Sequence, residues 1–348
     1  MKKWFLIVLA LAMAVSLLVF NQPSTAQNPM DAWKPGFDPS GAKYKIVVSN
    51  VSHPAIKGVY TGFAIRDELW ARSKGQMYFD YRPFSQLGGE VEVLNLLQSG
   101  AIQGMSVSSV ASTNLGPRMG VVNLPFLVND YDKMEKFAGN EKMFQHFLDG
   151  MKHQGIIGVN VSSYGQYGWA TTKPVRNIAD AKAIKFRIAE AAVNKLTYQS
   201  WGLNPVVMPW PDVPVALKQG VIEGLDHTAI VCNLTKKFEV CKYFTELNYA
   251  QGLFIWIYNE AWFKGLPEDL GKILLDVTNE QCTAMRAATK VQQDEQIADA
   301  KGKGIEFIQL SAEDLEVLRV QGKKVHEEYA KEIGPEFLKE VQDFLGFK

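Results

Sequence analysis

Three observations in this 348-residue sequence predict an α/β fold of two domains. Short apolar runs alternate with helical stretches of about 10 to 17 residues, the pattern of βαβ units and a largely parallel sheet. The stretch from Pro267 to Gly304 keeps apolar residues three and four apart, at Leu270, Ile273, Leu274, Val277, Ala284, Ala288 and Val291. That spacing marks one amphipathic helix roughly 50 Å long, enough to serve two domains. The third observation is length, since about 320 residues beyond an N-terminal leader usually divide in two.

The elements follow in order. Lys2 and Lys3 precede an uncharged apolar run from Trp4 to Phe20, with small residues at Ser24 and Ala26. This reads as a secretory signal peptide over 1–26, cleaved near Ala26. The run is slightly long, so an uncleaved anchor is the alternative; Pro23 and the short polar residues favour cleavage. A polar linker covers 27–41. "YKIVVSN" then reads as a strand, about Ala55 to Ala71 as a helix, "MYFDYRP" as a strand and "GEVEVLNLLQSG" as a short helix. "IQGMSVSSV" and "IIGVNVSSYG" are further strands. The second half repeats the style with "AIKFRIA", a helix to Gly202, "NPVVMPW", the helix "DVPVALKQG" and "IEGLDHT". Pro211 and Asp212 suit the first turn of that last helix.

Charge and motifs exclude several classes. The chain carries 37 basic and 37 acidic residues, a balance that points away from nucleic acid and from anionic membrane surfaces. Cys232, Cys241 and Cys282 allow one disulfide, between the first two, if the chain reverses between them. Buried thiols are the plainer reading. No metalloprotease, Walker, dinucleotide or serine-elbow motif is present, and the five histidines are scattered. The expectation is therefore a protein that is not an enzyme, with no catalytic residues, no cofactor and no metal.

Recognition chemistry remains. Open α/β sheets bind ligands beyond the carboxyl ends of their strands. Here those ends hold Asn50 to His53, Ser108 and Ser109, Tyr164 and Tyr167, Arg187, Trp210, and Asp226 to Thr228. Arg187 stands out because its fork of donors matches a carboxylate and cannot lose its proton to escape burial. A structural arginine paired with Glu190 or Asp226 is the competing reading.

Four stretches carry a resemblance over nearly the whole mature chain. They are "SHPAIKGVYTGFAIRDELWARSKGQMYFDYRPFSQLGGEVEVLNLLQSG", "NLPFLVNDYDKMEKF", "ADAKAIKFRIAEAAVNKLTYQSWGLNPVVMPWPDVPVALKQGVIEG" and "FIWIYNEAWFKGLPEDL". Together they resemble the solute-binding subunit of a tripartite ATP-independent periplasmic (TRAP) transporter, of the dicarboxylate-binding class. The P-x-S-Q-L-G turn and the K-x-R … G-x-x-P … L-x-x-G-x-x-x-G spacing are specific in combination.

The resemblance implies a two-lobed periplasmic solute-binding fold, type II-like. Such a fold has mixed sheets, flanking helices and a long helix spanning both lobes. Lobe I would be 42–164 with 253–292, and lobe II 165–252 with 293–348. It implies a receptor, monomeric by default, that closes on an organic acid anion and delivers it to TRAP membrane subunits. The alternative is a sensor module presenting the ligand to a signalling receptor.

Arg187 falls on the family's carboxylate-binding arginine and Trp210 on an aromatic that packs against the ligand. Tyr167 replaces a frequent second arginine, His227 a frequent asparagine, and Glu190 stands where an amide is common. Tyr249, with Phe254 and Trp256, is either ligand contact or core. Glu90, Ser108 and His53 complete the candidate set. One arginine fewer, and Tyr, His and Trp gained, point to a single carboxylate on a keto, hydroxy or aromatic acid.

Overall fold

The computed structural model describes residues 33–347. The expected signal peptide lies outside the described residues, as does the first part of the linker. Among the described residues ten strands run in chain order: β1 (Tyr44–Ser49), β2 (Met77–Arg82), β3 (Gly104–Ser108), β4 (Ile156–Thr171), β5 (Phe186–Ile188), β6 (Val206–Val207), β7 (Gly224–Thr228), β8 (Tyr243–Thr245), β9 (Gln251–Asn259) and β10 (Glu306–Ile308).

They form a two-lobed α/β fold around two mixed sheets that share β4. In the first, β1 pairs in parallel with β2 and β3. The helices Lys57–Arg72 and Glu90–Gln98 make the crossovers, as parallel pairing requires. β9 then lies antiparallel between β3 and the first part of β4, residues Ile156 to Gln166. In the second sheet, Tyr167 to Thr171 of the same strand pair antiparallel with β7, and Trp169 to Thr171 with β8. β7, β5 and β6 continue in parallel, and β10 pairs in parallel with β8.

The largely parallel sheet read from the strand–helix alternation is thus corrected to a mixed one, as the resemblance implies. β4 runs through both sheets and β9 lies beside its first part, neither as a member of a βαβ unit, so both run against their neighbours. The crossing point has a local cause. The register of β4 shifts between Ser163 and Gly165, and Gly165 has φ +107°, a conformation that side-chain-bearing residues rarely adopt. Such a bulge bends a strand and re-aims its side chains.

The helix Glu268–Gly302 spans both sheets as the spacing predicts: it packs on the helix Lys57–Arg72, on β4 and on the helix Ala229–Leu234. Its inward face differs from the apolar one read in the sequence. Leu270, Leu274 and Val277 are buried, but further along the buried residues are Cys282, Arg286, Thr289 and Gln292, and Val291 is exposed. The polar face ties the helix to its neighbours. Arg286 pairs with Glu135 at 2.8 Å and donates to the Val161 carbonyl at 2.8 Å. Gln292 accepts from the Lys57 amide and donates to the Ala55 carbonyl, while Asn233 donates to Gln296 and Asp299 near the other end.

Each sheet has its own aromatic core. Phe63, Phe79, Tyr81 and Trp256 pack in the first, and Trp169, Phe186, Tyr198 and Trp201 in the second. All three cysteines are buried free thiols, with Cys232 and Cys241 inside the second lobe's apolar cluster. The helix Ala312–Ile333, which the sequence reading did not single out, packs on the helix Ala192–Ser200 and on the turn Pro117–Asn123.

Gly58 sits where the helix Lys57–Arg72 meets the crossing strand. Its carbonyl accepts from Ser162 Oγ at 2.7 Å, and an added Cβ would overlap the Ser163 carbonyl. Gly58→Ala should therefore lower stability by about 2–3 kcal/mol through overpacking, read as a shifted urea midpoint with unchanged slope.

Candidate functional site

Alternation along β5 places the arginine. Phe186 and Ile188 are fully buried against one face, where Phe186 meets the Trp169 ring at 5.1 Å and Tyr198 at 5.8 Å. Arg187 must then point to the other face. It pairs in register with Leu225 of β7, so it shares that face with His227, two residues on. Arg187 is 5% exposed. Its Nε donates to the Met208 carbonyl at 2.9 Å, and its guanidinium lies 5.6 Å from the Trp210 ring centroid. Among the described residues its terminal nitrogens have no hydrogen-bond partner and no acid lies within ion-pair distance. The alternative of a structural arginine paired with Glu190 or Asp226 therefore does not hold. Burial pulls its pKa below the ordinary guanidinium value, and Tyr167, Glu90, Asp226 and Glu190 pull it back.

The terminal nitrogens border a cavity of about 30 Å³ between the two sheets. Such a space suits a water or two, so an organic acid enters only if a wall moves. Tyr164, Tyr167, His227, Trp210, Glu90 and Ser108 line it, with Phe254, Val51 and Ser52. The hydroxyls of Tyr164 and Tyr167 meet at 2.7 Å. Tyr167 stacks on His227 at 5.9 Å, and Trp210 lies 4.7 Å from the same imidazole.

The Nδ1 atom of His227 accepts from the Thr228 amide at 2.9 Å. Burial first, then Arg187 and Lys237, hold its pKa well below the usual histidine value. The ring is neutral with its proton on Nε2, a hydrogen-bond donor. Glu90 opens the helix Glu90–Gln98, and both its oxygens are taken by Ser108, from the amide at 2.6 Å and the hydroxyl at 2.8 Å. Burial raises its pKa against those bonds.

Six of the nine candidates therefore meet at one cavity: Arg187, Trp210, Tyr167, His227, Glu90 and Ser108. Trp210 arrives differently from the expectation, because β6 stops at Val207 and Trp210 begins a short turn, Trp210–Asp212, after Pro209. The other three stand apart. His53 lines a neighbouring, larger cavity and stacks edge-on with Phe84 at 5.2 Å. Glu190 does not line the chamber and acts on Arg187 only through charge.

Tyr249 sits behind the site. Its hydroxyl donates to Asp226 at 2.7 Å, so the cluster with Phe254 and Trp256 splits three ways. Phe254 lines the cavity, Tyr249 supports Asp226, and Trp256 is core, donating to Ser162 at 3.0 Å. Lys237, buried beside Trp210 at 4.8 Å, was not read from the sequence, where "TKKFE" looks like a solvated turn.

The sequence profile of the bacterial extracellular solute-binding proteins, family 7, matches residues 49–332. An uncharacterized protein of Salmonella typhimurium is 27% identical over 175 residues, which is 50% of this chain and 54% of that one. The chain thus spans about half the length of that relative. A C4-dicarboxylate-binding periplasmic protein of Rhodobacter capsulatus is 27% identical over 78% of this chain and 81% of its own. Among solved structures, a TRAP periplasmic solute-binding protein of Sulfurospirillum deleyianum with bound succinate superposes with a TM-score of 0.80 at 24% identity. That superposition covers 86% of this chain and 99% of the other.

Asp226 supports the site from below, and burial pushes its pKa up to about 6 against hydrogen bonds from Tyr249, Tyr198 and Asn194 and the charge of Arg187. The folded protein then holds a proton that the unfolded chain releases near pH 4. Stability from this group accordingly falls as pH rises from about 4 through 6, by roughly 3 kcal/mol, and is level above. Asp226→Asn should abolish that decline, so the wild-type minus variant difference in denaturation free energy changes across this window and nowhere else.

Proposed function

The chain belongs to the bacterial extracellular solute-binding proteins, family 7, the receptors of TRAP transporters, and on that premise we propose that it binds a small organic acid between its lobes. Arg187 takes the carboxylate. The Nε2–H of His227 and the paired hydroxyls of Tyr164 and Tyr167 are placed to hydrogen-bond an oxygen on the neighbouring carbon. Trp210 and Phe254 flank the carbon body. The single observation that carries this reading is a buried guanidinium with its terminal donors open and no acid of its own.

The named relative and the solved structure bind C4-dicarboxylates and succinate, which supports the carboxylate class. One cation in so small a chamber favours a single carboxylate there, on a 2-keto or 2-hydroxy acid rather than an aromatic one, whose ring needs space the aromatic walls already fill. Binding without turnover, in the periplasm, followed by delivery to TRAP membrane subunits, is the role proposed. The sensing alternative gains no support from these observations.

Closure would work through differential affinity: the ligand favours the closed state only as far as it binds that state better. Excluding water strengthens the ion pair as the lobes meet. Among the described residues no helix is long and apolar enough to cross a membrane.

Arg187→Ala would leave the acid buried without a partner, at about 3–5 kcal/mol, or on the order of 10²- to 10³-fold in affinity or more. Calorimetry should show binding lost while the unliganded melting temperature stays within a few degrees. A thermal-shift panel of mono-, di- and aromatic acids reads the class; stabilisation by aromatic acids alone would overturn the small-acid reading.

A further inference from the structure

The chamber has a larger neighbour. A second cavity of about 510 Å³ adjoins it, and Trp210 and Val51 line both. That volume falls among those of small-molecule sites. Its wall includes Lys237, only 7% exposed and yet without an acid in ion-pair distance among the described residues. One hydrogen bond to the Thr235 carbonyl at 3.1 Å holds the ammonium, which otherwise lies 4.8 Å from the centre of the Trp210 ring. The guanidinium of Arg187 lies 5.6 Å from the same ring.

Two buried cations thus share one indole, and neither is bonded to a carboxylate. The nearby acids are engaged elsewhere: Glu90 with Ser108, Asp226 with Tyr249 and Asn194. Glu239 also lines the outer cavity but is exposed and forms no ion pair. Burying a charge without its counterpart is costly, so the arrangement calls for an anion from outside. Lys218 and Lys236, both exposed on the same lining, add to the positive field.

The opposite lip is held rigidly. Phe84 and Ser85 both take left-handed backbone angles, φ +64° and +53°, which are strained for residues with side chains. The amides of Phe84 and Ser85 donate to the Ser52 and Asn50 carbonyls, and Ser85 Oγ to that of Val51.

We infer that the outer cavity is a second carboxylate-binding subsite, with Lys237 as its cation, and that it takes the distal carboxylate of an acid too long for the inner chamber. This rests on the reading that Arg187 holds the first carboxylate. Trp210 is the partition, and a ligand reaching both cations requires its ring to turn aside. The chain would then accept a short monoacid inside and a longer diacid across the partition, telling them apart by Lys237 alone.

Calorimetry with pyruvate and with the diacids succinate, glutarate and adipate tests this on wild type, Lys237→Met and Lys237→Arg. The best-bound diacid should lose at least tenfold in affinity in Lys237→Met and less than threefold in Lys237→Arg. Pyruvate should weaken less than threefold in both, and unliganded melting temperatures should agree within a few degrees. Equal losses for pyruvate and diacid, or an unchanged diacid affinity, overturn the subsite. A second equivalent of pyruvate lost in Lys237→Met overturns the bridging ligand and assigns the subsite to a separate acid. Wild type that binds pyruvate but no diacid defeats the inference and leaves the Arg187 reading standing; wild type that binds no acid defeats both.

Discussion

A guanidinium cannot shed its proton to escape burial, and the architecture around the candidate site answers to that constraint. Arg187 stands on a three-residue strand whose other two side chains are fully buried, Phe186 within an aromatic core. The strand cannot rotate to release the charge without exposing Phe186 and Ile188. The backbone carbonyl of Met208 satisfies one donor, and the remaining donors are left facing a cavity. A side chain so placed is either a standing cost to the fold or a receptor for an anion. The second is the role we propose for it.

The surrounding acids temper that charge without cancelling it. Asp226 is close enough to act on Arg187 electrostatically, but its oxygens are occupied by Tyr249 and Asn194. Glu90 is occupied by Ser108 and pushed toward its neutral form by burial. Both acids are held off by hydrogen bonds that specify geometry more than charge. His227 is kept neutral by the same burial and by the two cations near it, so the pocket offers donors without adding a further full charge. Low local dielectric makes every one of these interactions stronger and every unpaired group more costly.

The scaffold that brings these groups together is one crossing strand and one long helix. Tyr164 and Tyr167 flank the bulge at Gly165, where β4 leaves one sheet and enters the other. The helix Glu268–Gly302 backs that crossing with polar contacts on both sides: Gln293 accepts from the Gln166 amide at 2.9 Å, next to the bulge. Any motion of one sheet against the other would therefore pass through a segment held by directional hydrogen bonds. Such contacts define a narrow set of arrangements, as a hinge between discrete states requires.

Much of this was legible beforehand, because periodicity and local chemistry are written residue by residue. The apolar runs of β1, β2 and β3, the helix between Pro267 and Gly304, and the arginine within "KFRIA" each follow from spacing or from an unusual charge in an apolar strand. What neighbours decide was not legible. The inner face of the long helix is half polar, since Arg286 and Thr289 meet backbone carbonyls of β4, Arg286 also pairs with Glu135, and Gln292 meets the backbone where the helix Lys57–Arg72 begins; hydrophobic spacing has no means of marking such a face. Tyr249 and Phe254 look alike in sequence, yet one faces Asp226 and the other the cavity. Lys237 reads as a solvated turn and is buried beside an indole from another segment. Composition and pattern by themselves determined an α/β class with one long helix and singled out Arg187 as a charge in an apolar strand. The mixed two-lobed arrangement and a binding role for that arginine came from the resemblance. Only the tertiary structure decided which groups stand against that cation, because burial and charge pairing depend on segments far apart in the chain meeting in space.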